Sequence, residues 1–171
     1  IVVDDRSEDS TPELVRKLQR QHPAIRLISI AELPDGWLGK PHAMQVGARH
    51  ADGDILLFTD ADVCLEATSL SRGVSALERD KLDHLCLLFR NRGGSTLLNA
   101  LICDLGVGLL VLLRPWRVRD PQSRHFFGIG AFNMVRRSVY QAIGEHRKIR
   151  LQVIDDLFLG KVIKQAGFRQ D

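Results

Sequence analysis

The sequence has few cysteines and few aromatic residues, and no strong excess of charge of either sign. Its three cysteines, Cys64, Cys86 and Cys103, form no C-x-x-C pair, so the sequence predicts neither a zinc site nor a disulfide framework. We interpret them as buried, reduced thiols of a cytosolic protein. The 24 basic residues only slightly outnumber the 21 acidic ones. This balance does not favour a nucleic-acid partner, which usually needs a clustered basic face.

The chain also lacks an initiator methionine, a signal peptide and low-complexity segments. Ile1-Val2-Val3 leads directly into Asp4-Asp5, without the charged and apolar regions of a leader. We therefore expect the chain to be part of a longer protein, truncated at both ends. Its 171 residues fit a single domain, which is large enough to bury a core without disulfides or a metal.

Strand and helix patterns alternate along the first ninety residues. The predicted strands, which are short apolar runs, cover residues 1–3, 25–30, 55–58 and 84–89. Amphipathic helices are predicted to begin near residues 11, 41 and 67, the first of them with a capping box of Ser10 and Glu13. This order predicts an α/β fold with a mostly parallel, Rossmann-like sheet flanked by helices.

Acidic residues follow two of the predicted strands. Asp4-Asp5 ends the first strand, and Asp60-Ala61-Asp62 follows the strand at 55–58. The carboxyl ends of parallel strands share one edge of a sheet, where ligands bind. Because carboxylates that share a site repel each other, the pattern predicts a cation between them. The D-x-D spacing lets Asp60 and Asp62 reach one Mg²⁺ or Mn²⁺ ion, which keeps free positions for diphosphate oxygens.

Three other features are candidates for the site. Lys40 lies at a predicted helix start, where it can contact a phosphate, although a single lysine is more often an exposed surface residue. The run 128–130 is Gly-Ile-Gly and permits close approach of a ligand or another strand. Asp155-Asp156 opens the last predicted helix. We expect Asp155 to cap that helix and Asp156 to be free for chemistry.

The apolar and basic segment 97–125 differs from the rest of the chain. Of residues 97–113, 13 are apolar, and arginines with one tryptophan follow them. Two interpretations remain open: a helix in a membrane interface, and a buried core helix followed by a solvated basic loop. A membrane span is less favoured, because Asp104 lies in the middle of the segment.

Five motifs follow one another along nearly the whole chain. They are Val3-Asp4-Asp5-Arg6-Ser7, Gly39-Lys40-x2-Ala43-x3-Gly47, Gly53-Asp54-x3-Phe58-x-Asp60-Ala61-Asp62, Gly130-x5-Arg136-Arg137 and Asp155-Asp156-x2-Leu159-Gly160. In this order they resemble family-two glycosyltransferases of the GT-A fold. The stretch 36–43 resembles bacterial members that glycosylate lipid-like acceptors, including those associated with hopanoid and carotenoid biosynthesis.

The resemblance implies inverting transfer of a sugar from a UDP- or GDP-sugar to a hydroxyl acceptor, with a lipid-like molecule as one candidate, and a divalent metal as cofactor. Residues 1–171 would form one catalytic domain. Within it, 1–90 would be the nucleotide-sugar-binding half and 91–171 the acceptor-side half. Such a protein is expected in the cytoplasm, with peripheral contact at the inner face of the cytoplasmic membrane as a further possibility.

The resemblance also implies roles for individual residues. Asp5 would contact the nucleobase with Asp4 beside it, and Lys40 would lie on the donor side. Asp60 would bind the ribose and, with Asp62, the metal ion. The catalytic base would be Asp156.

The sequence departs from the family's pattern in three places. The first strand of the family, with its Asn-Glu-type ending, is absent before Ile1, and Gln45 replaces a usual Asn. The Gln-x-x-Arg-Trp motif of processive synthases is also absent.

Two other functions fit part of the pattern. Asp60-Ala61-Asp62-Val63 also matches the nucleophile loop of haloacid-dehalogenase-type phosphatases, with Asp155-Asp156 as the later acidic pair. That loop normally follows the first strand of its fold, whereas here it follows the third predicted strand. A degenerate, non-catalytic nucleotide-sugar-binding module is the second alternative.

Overall fold

The computed structural model describes residues 1–91 and 93–171. Its strands are β1 Val2–Asp5, β2 Leu27–Ile30, β3 Ile55–Phe58, β4 His84–Cys86 and β5 Asn133–Arg136. Its α-helices are α1 Thr11–Gln21, α2 Gly39–Arg49, α3 Ser69–Arg79, α4 Thr96–Leu113, α5 Arg137–Ala142 and α6 Asp155–Gln165. Short 3-10 turns cover Pro115–Arg117 and His146–Ile149. The α/β class and the alternation up to β4 are confirmed.

The strands form two hydrogen-bonded groups. β1 and β2 pair in parallel, whereas β5 lies between β3 and β4 and is antiparallel to both. β3 and β4 are therefore parallel to each other, as the β-α-β order requires. The antiparallel β5 and the short helix α5 were not predicted, because Asn133-Met134-Val135-Arg136 is too short and mixed to show a period.

Two apolar clusters cover opposite faces of the β3-β5-β4 sheet. Along β5, Met134 belongs to the cluster formed with α3, and Val135 to the cluster formed with α5 and α6. Leu56 and Leu57 of β3 divide between the two clusters in the same way. Successive side chains of a strand point to opposite faces, so β3 is covered on both sides, as its continuous apolar run predicted.

The start of α1 differs from the predicted capping box. Ser10 occupies the N-cap position, but its side chain accepts no cap hydrogen bond. Instead, the Thr11 N–H donates to Asp9 Oδ1 at 2.9 Å. The Ser10 backbone has ψ near 8° rather than the extended value of a capping residue, which explains why its hydroxyl does not cap the helix.

Two buried histidines link the core elements. His84 lies between Asn133 and Gln170, with side-chain contacts of 2.6 and 2.7 Å. Burial lowers its pKa to about 4. His146 contacts Tyr140 Oη through Nδ1 at 2.8 Å, and burial, reinforced by the charge of Lys40, lowers its pKa to about 3. Both imidazoles are therefore neutral in the folded protein at neutral pH.

We predict that the free energy of unfolding falls when the pH is lowered from 6 to 5. An unfolded histidine has a pKa of about 6.5 and binds a proton in this range, whereas folded His84 and His146 do not. Each contributes a slope of up to about 1.4 kcal/mol per pH unit. Burial raises the pKa of Asp155, which acts in the opposite direction. Urea unfolding at both pH values measures the difference, and equal stability would contradict the prediction.

Helix α4 is not a core helix. None of its eighteen residues, all of which the structure describes, is buried. With the turn after it, it is also the one helix among the described residues that is long and apolar enough to cross a membrane. The interpretation of residues 97–113 as a buried core helix is therefore wrong.

Candidate functional site

A cavity of about 890 Å³ opens at the carboxyl end of β3. Asp60, Asp62 and Asp156 line it together with Gly130. Two of these acids follow β3, and the third lies in the first turn of α6, almost a hundred residues later in the sequence. The structure therefore brings together the predicted metal ligands and the predicted base.

The pairing of β3 with β5 explains why the acids that follow β3 lie beside the segment that precedes β5. Phe58 at the end of β3 lies opposite Asn133 at the start of β5. In an antiparallel pair the residues that follow one strand adjoin those that precede the other. Accordingly, the Asp60 N–H donates to the Gly130 carbonyl at 2.9 Å, and Thr59 Oγ1 donates to the Ala131 carbonyl at 3.0 Å.

The Gly-Ile-Gly segment 128–130 lies against both Asp60, which follows β3, and Asp156, at the start of α6. A Cβ on Gly130 would collide with the Asp60 carboxylate, and one on Gly128 would collide with the backbone of Asp156. The Gly130 N–H donates to Asp156 Oδ2 at 2.6 Å, and the Leu157 N–H donates to Asp156 Oδ1 at 2.8 Å. The expected close approach is confirmed, and the element approached is the first turn of α6.

Lys40 places a positive charge between carboxylates from two parts of the chain. Its Nζ lies 2.7 Å from Asp60 Oδ1 and 3.7 Å from Asp155 Oδ1. Burial lowers the pKa of Lys40, but the hydrogen bond to Asp60 and the negative charges around it outweigh this effect, so the pKa is raised. Lys40 is therefore a charged member of the site and not an isolated surface lysine.

Asp155 does not cap α6, which corrects the sequence-based expectation. It is 3 % exposed, and no side-chain hydrogen bond caps the helix. Instead it faces Lys40 and, at 3.9 Å, His146 Nε2. Burial raises the pKa of the Asp155 carboxyl, and the Lys40 charge opposes this shift. The first helical residue points inward, which leaves Asp156 as the member of the pair in the cavity.

Asp4 and Asp5 lie outside the lining of this cavity. Asp4 is buried, and its Oδ1 accepts a hydrogen bond from the Ser7 N–H at 3.3 Å. Asp5 pairs with Arg6 at 2.8 Å, and a Cβ on Gly39 would lie 2.6 Å from its Oδ2. Asp5 thus adjoins the start of α2, directly beside Lys40. Asp4 stabilises the turn after β1, which explains its burial without any ligand.

Asp60 and Asp62 suit a metal that receives its other ligands from a substrate. Among the described residues no group of three His, Cys, Asp or Glu side chains is arranged to hold an ion. Mg²⁺ and Mn²⁺ are commonly held by one or two carboxylates together with phosphate oxygens and water. Asp62 is exposed and Asp60 half-buried, so both carboxylates are accessible from the cavity that they line. The donor set fits a metal bound jointly with a diphosphate.

Exposed apolar side chains also line the cavity, and sequence reasoning missed them. Leu65, Leu88 and Phe89 line the cavity with 43 %, 62 % and 60 % of their surface exposed. In the sequence they belong to a loop and to the end of a predicted strand, and no motif marks them. Exposed large apolar side chains beside a polar cavity indicate a surface that contacts an apolar ligand group.

Comparisons with known proteins find relatives in both sequence and structure. Residues 1–144 match the sequence model of the family described as Glycosyl transferase family 2. Over 62 residues the chain is 40 % identical to a dolichyl-phosphate beta-glucosyltransferase of Trichomonas vaginalis, which is 36 % of this chain and 17 % of the relative. Over 63 residues it is 36 % identical to a 4,4'-diaponeurosporenoate glycosyltransferase of Staphylococcus haemolyticus, which is 37 % of this chain and 16 % of the relative.

A solved structure matches nearly the full length of the chain. It is the mannosyltransferase PcManGT from Pyrobaculum calidifontis in complex with GDP-Man and Mn²⁺, with a TM-score of 0.72 and 25 % sequence identity. The match covers 99 % of this chain and 43 % of the mannosyltransferase. The chain therefore spans less than half of that protein and less than a fifth of the two curated relatives.

Proposed function

The chain belongs to glycosyl transferase family 2, and from that premise we propose that it transfers a sugar from a nucleotide-diphosphate-sugar to a hydroxyl acceptor, with inversion at the anomeric carbon. The observation that carries the proposal is the convergence of Asp60, Asp62 and Asp156 on one cavity. In this assignment residues 1–90 bind the donor and residues 91–171 form the acceptor side.

On the donor side, Asp60 and Asp62 hold a divalent metal, and Asp60 also contacts the ribose. When bound, the metal supplies charge stabilisation for the diphosphate. Lys40 adds a positive charge at the start of α2, where it already contacts Asp60. Asp5, whose carboxylate lies against Gly39 at the start of α2, contacts the nucleobase, and Asp4 holds the turn beside it.

On the acceptor side, Asp156 is the general base. Inverting transfer is a single displacement, so the acceptor hydroxyl loses its proton as it attacks the anomeric carbon. Asp156 lines the cavity, and two backbone N–H groups orient its carboxylate. A carboxylate within hydrogen-bond reach of the hydroxyl can accept that proton. Asp155 is turned away towards Lys40 and is a positioning residue.

We propose a lipid-like molecule as the acceptor, with the protein in the cytoplasm at the inner face of the membrane. The apolar wall of Leu65, Leu88 and Phe89 supports an acceptor with an apolar portion. The two curated relatives are named for dolichyl phosphate and 4,4'-diaponeurosporenoate, which are isoprenoid compounds. The bacterial hopanoid or carotenoid class suggested by residues 36–43 belongs to the same proposal.

Contact with an anionic membrane surface predicts a dependence on salt. Arg114, Arg117 and Arg124 are exposed, and the structure gives no ion pair for them among the described residues. Each basic residue near an anionic surface contributes about 1 kcal/mol. Arg117→Gln should therefore weaken binding to anionic vesicles about fivefold. Added salt should reduce this difference in affinity between the variant and the unmodified chain.

Arg119 provides the control for this measurement. It pairs with Asp80 and Asp171 at 2.8 and 2.7 Å, so Arg119→Gln should leave vesicle binding nearly unchanged. Vesicle flotation at increasing salt measures both variants. Equal binding of Arg117→Gln and the unmodified chain would contradict a contact through this segment.

Because the Gly130 backbone lies close to Asp60, we predict that one added methyl group at this position strongly reduces sugar transfer. In Gly130→Ala the new Cβ meets the Asp60 carboxylate, which must move away together with any ion it holds. A displacement of about 1 Å in a catalytic arrangement can reduce the rate about a hundredfold. We expect a loss of this order in sugar transfer, measured in the full-length protein, with a smaller effect on thermal unfolding.

Gly53→Ala is the matched control for Gly130→Ala. Its Cβ would meet only the Ile55 carbonyl at 3.4 Å, an ordinary contact, so transfer should change little. Similar rates for the two alanine variants would contradict the role of the Gly130 approach.

The direct test of the proposal uses a panel of UDP- and GDP-sugars. Incubation of the chain with each donor and Mn²⁺ should release nucleoside diphosphate slowly by hydrolysis, and the full-length protein with an acceptor should release it faster. Hydrolysis of a phosphomonoester without any donor turnover would favour the phosphatase. Tight donor binding with neither hydrolysis nor transfer by the full-length protein would favour a non-catalytic binding module.

A further inference from the structure

We propose that α4 is a membrane-embedded helix that lies in the plane of a phospholipid bilayer and seats the domain on it. Only one part of this proposal rests on the proposed function, namely that the lipid-like acceptor comes from the same bilayer. Embedding of α4 is a separate claim from surface contact through the arginines. Those arginines follow the helix and can bind headgroups while α4 remains in water. The occupant to which we commit is lipid, and three properties of α4 support it.

The first property is exposure of apolar side chains around the helix. Leu97, Val107 and Leu109 are 71 %, 60 % and 47 % exposed, and with 3.6 residues per turn these three side chains point in different directions from the helix axis. The remaining face carries the half-buried residues, which are Asn99, Ile102, Gly106, Leu110 and Leu113. A folded protein partner covers one face of a helix, whereas hydrocarbon surrounds every face that the domain leaves free. A helix that exposes apolar side chains on several faces therefore fits lipid better than a protein groove.

The second property is the attachment of both ends of α4 to the same domain. Leu87 packs against the α3 cluster before the helix, and Val118 is buried five residues after it. The helix of 18 residues is about 27 Å long, close to the thickness of a hydrocarbon core. If it stood upright, the short segment from Arg114 to Val118 would have to return across the bilayer as irregular backbone, which lipid does not tolerate. The helix must therefore lie in the plane.

The third property is the distribution of polar groups near the helix. Trp116 is 65 % exposed between Arg114 and Arg117, which is a combination suited to the headgroup region. The basic side chains complement anionic headgroups. Asp104 is exposed in the middle of α4, and a carboxylate is costly in hydrocarbon. Its position keeps the embedding shallow, at the boundary between headgroups and acyl chains.

A pair of matched substitutions tests the proposal. Leu101 in α4 and Leu14 in α1 are 59 % and 58 % exposed, so Leu101→Asp and Leu14→Asp make the same change at equal exposure, and neither disturbs a buried contact. A charge placed in the apolar region opposes embedding. We expect Leu101→Asp to weaken partition into vesicles of neutral and anionic lipid at least about tenfold, and Leu14→Asp to leave it unchanged. Asp104→Leu should strengthen partition.

A second measurement reports the depth of the helix directly. Cys103 is exposed in α4, and Cys64 is exposed in the cavity wall, so the expectation of buried thiols is wrong for these two. Burial raises the pKa of Cys86 to about 12, so it resists labelling. With Cys64→Ser, an environment-sensitive fluorophore on Cys103 should shift to the blue on vesicle addition. It should be quenched by lipids that carry a spin label near the headgroup, even in high salt. The control is a label on Leu14→Cys, exposed in α1 and outside the cavity lining, in a Cys64→Ser and Cys103→Ser background. It should show neither change.

Several results would overturn the proposal. One is a Cys103 label whose emission does not shift on vesicle addition, and another is equal partition of Leu101→Asp and Leu14→Asp. A third is that the unmodified protein does not bind vesicles but forms a dimer, which Leu101→Asp dissociates. The last result would mean that a second copy of the chain covers α4. Calorimetric titration of nucleoside diphosphate with Mn²⁺ on the same variants separates this proposal from the proposed function. Embedding without nucleotide binding would leave the α4 assignment standing and reject the transferase.

Discussion

Asp156→Asn should retain metal-dependent nucleotide binding while it loses sugar transfer. The amide cannot accept the proton of the acceptor hydroxyl, and removing a general base typically costs a factor of about 10² to 10⁴. The approach of Gly130 should be preserved, because the Asn carbonyl oxygen can still accept the Gly130 N–H that Asp156 Oδ2 accepts now. The hydrogen bond from the Leu157 N–H to Oδ1 is lost, because the second position of the amide is a donor. Transfer is measured in the full-length protein with a nucleotide-sugar and an acceptor. Nucleotide affinity is measured by calorimetry in Mn²⁺.

Asp155→Asn distinguishes the two members of the acid pair. Asp155 is buried against Lys40 and faces His146, so its substitution should alter thermal unfolding and the position of Lys40 more than the chemistry of proton transfer. The rate for Asp155→Asn should therefore keep the pH dependence of the unmodified enzyme. Transfer by Asp156→Asn at the unmodified rate would show that the base assignment is wrong.

Removal of divalent metal should abolish the affinity for nucleoside diphosphates. Asp60, Asp62 and Asp156 line the cavity, and carboxylates repel phosphates unless a cation lies between them. Lys40 is already engaged by Asp60 and Asp155, so it does not replace the ion. Stabilisation by a bound metal amounts to several kcal/mol, and we expect a loss of affinity of about a hundredfold or more on chelation.

The corresponding nucleoside is the control for chelation, because it carries no phosphate. Its weak binding, through Asp5 and the ribose contact, should change little when the metal is removed. Asp62→Asn should reproduce part of the chelation effect, whereas Asp52→Asn, at an exposed acid remote from the cavity lining, should not. Equal diphosphate affinity with and without chelator would count against the metal-bridged site.

Sequence reasoning recovered most of the local structure, and its errors have physical causes. β3 was predicted with its observed bounds because a continuous apolar run is typical of a strand covered on both faces. β5 was missed because its sequence shows no alternation of apolar and polar residues. One of its side chains, Asn133, is polar and yet is buried in the sheet. The cap assigned to Asp155 was wrong because a residue type shows which hydrogen bonds are available, but tertiary contacts with Lys40 select among them.

The sequence by itself determined the α/β class, because the spacing of apolar residues specifies local backbone. It also determined the chemistry on offer, which is the acids that end β1 and follow β3, the acid pair at the start of α6 and the two glycines of segment 128–130. Only the tertiary structure decided which of these residues meet. The antiparallel pairing of β5 with β3 places Gly130 between Asp60 and Asp156, and the packing of α2 places Lys40 against Asp60 and Asp155. The tertiary structure also decided that α4 is exposed. An apolar sequence is compatible with a protein core and with a lipid surface, and only the packing around the helix distinguishes these two environments.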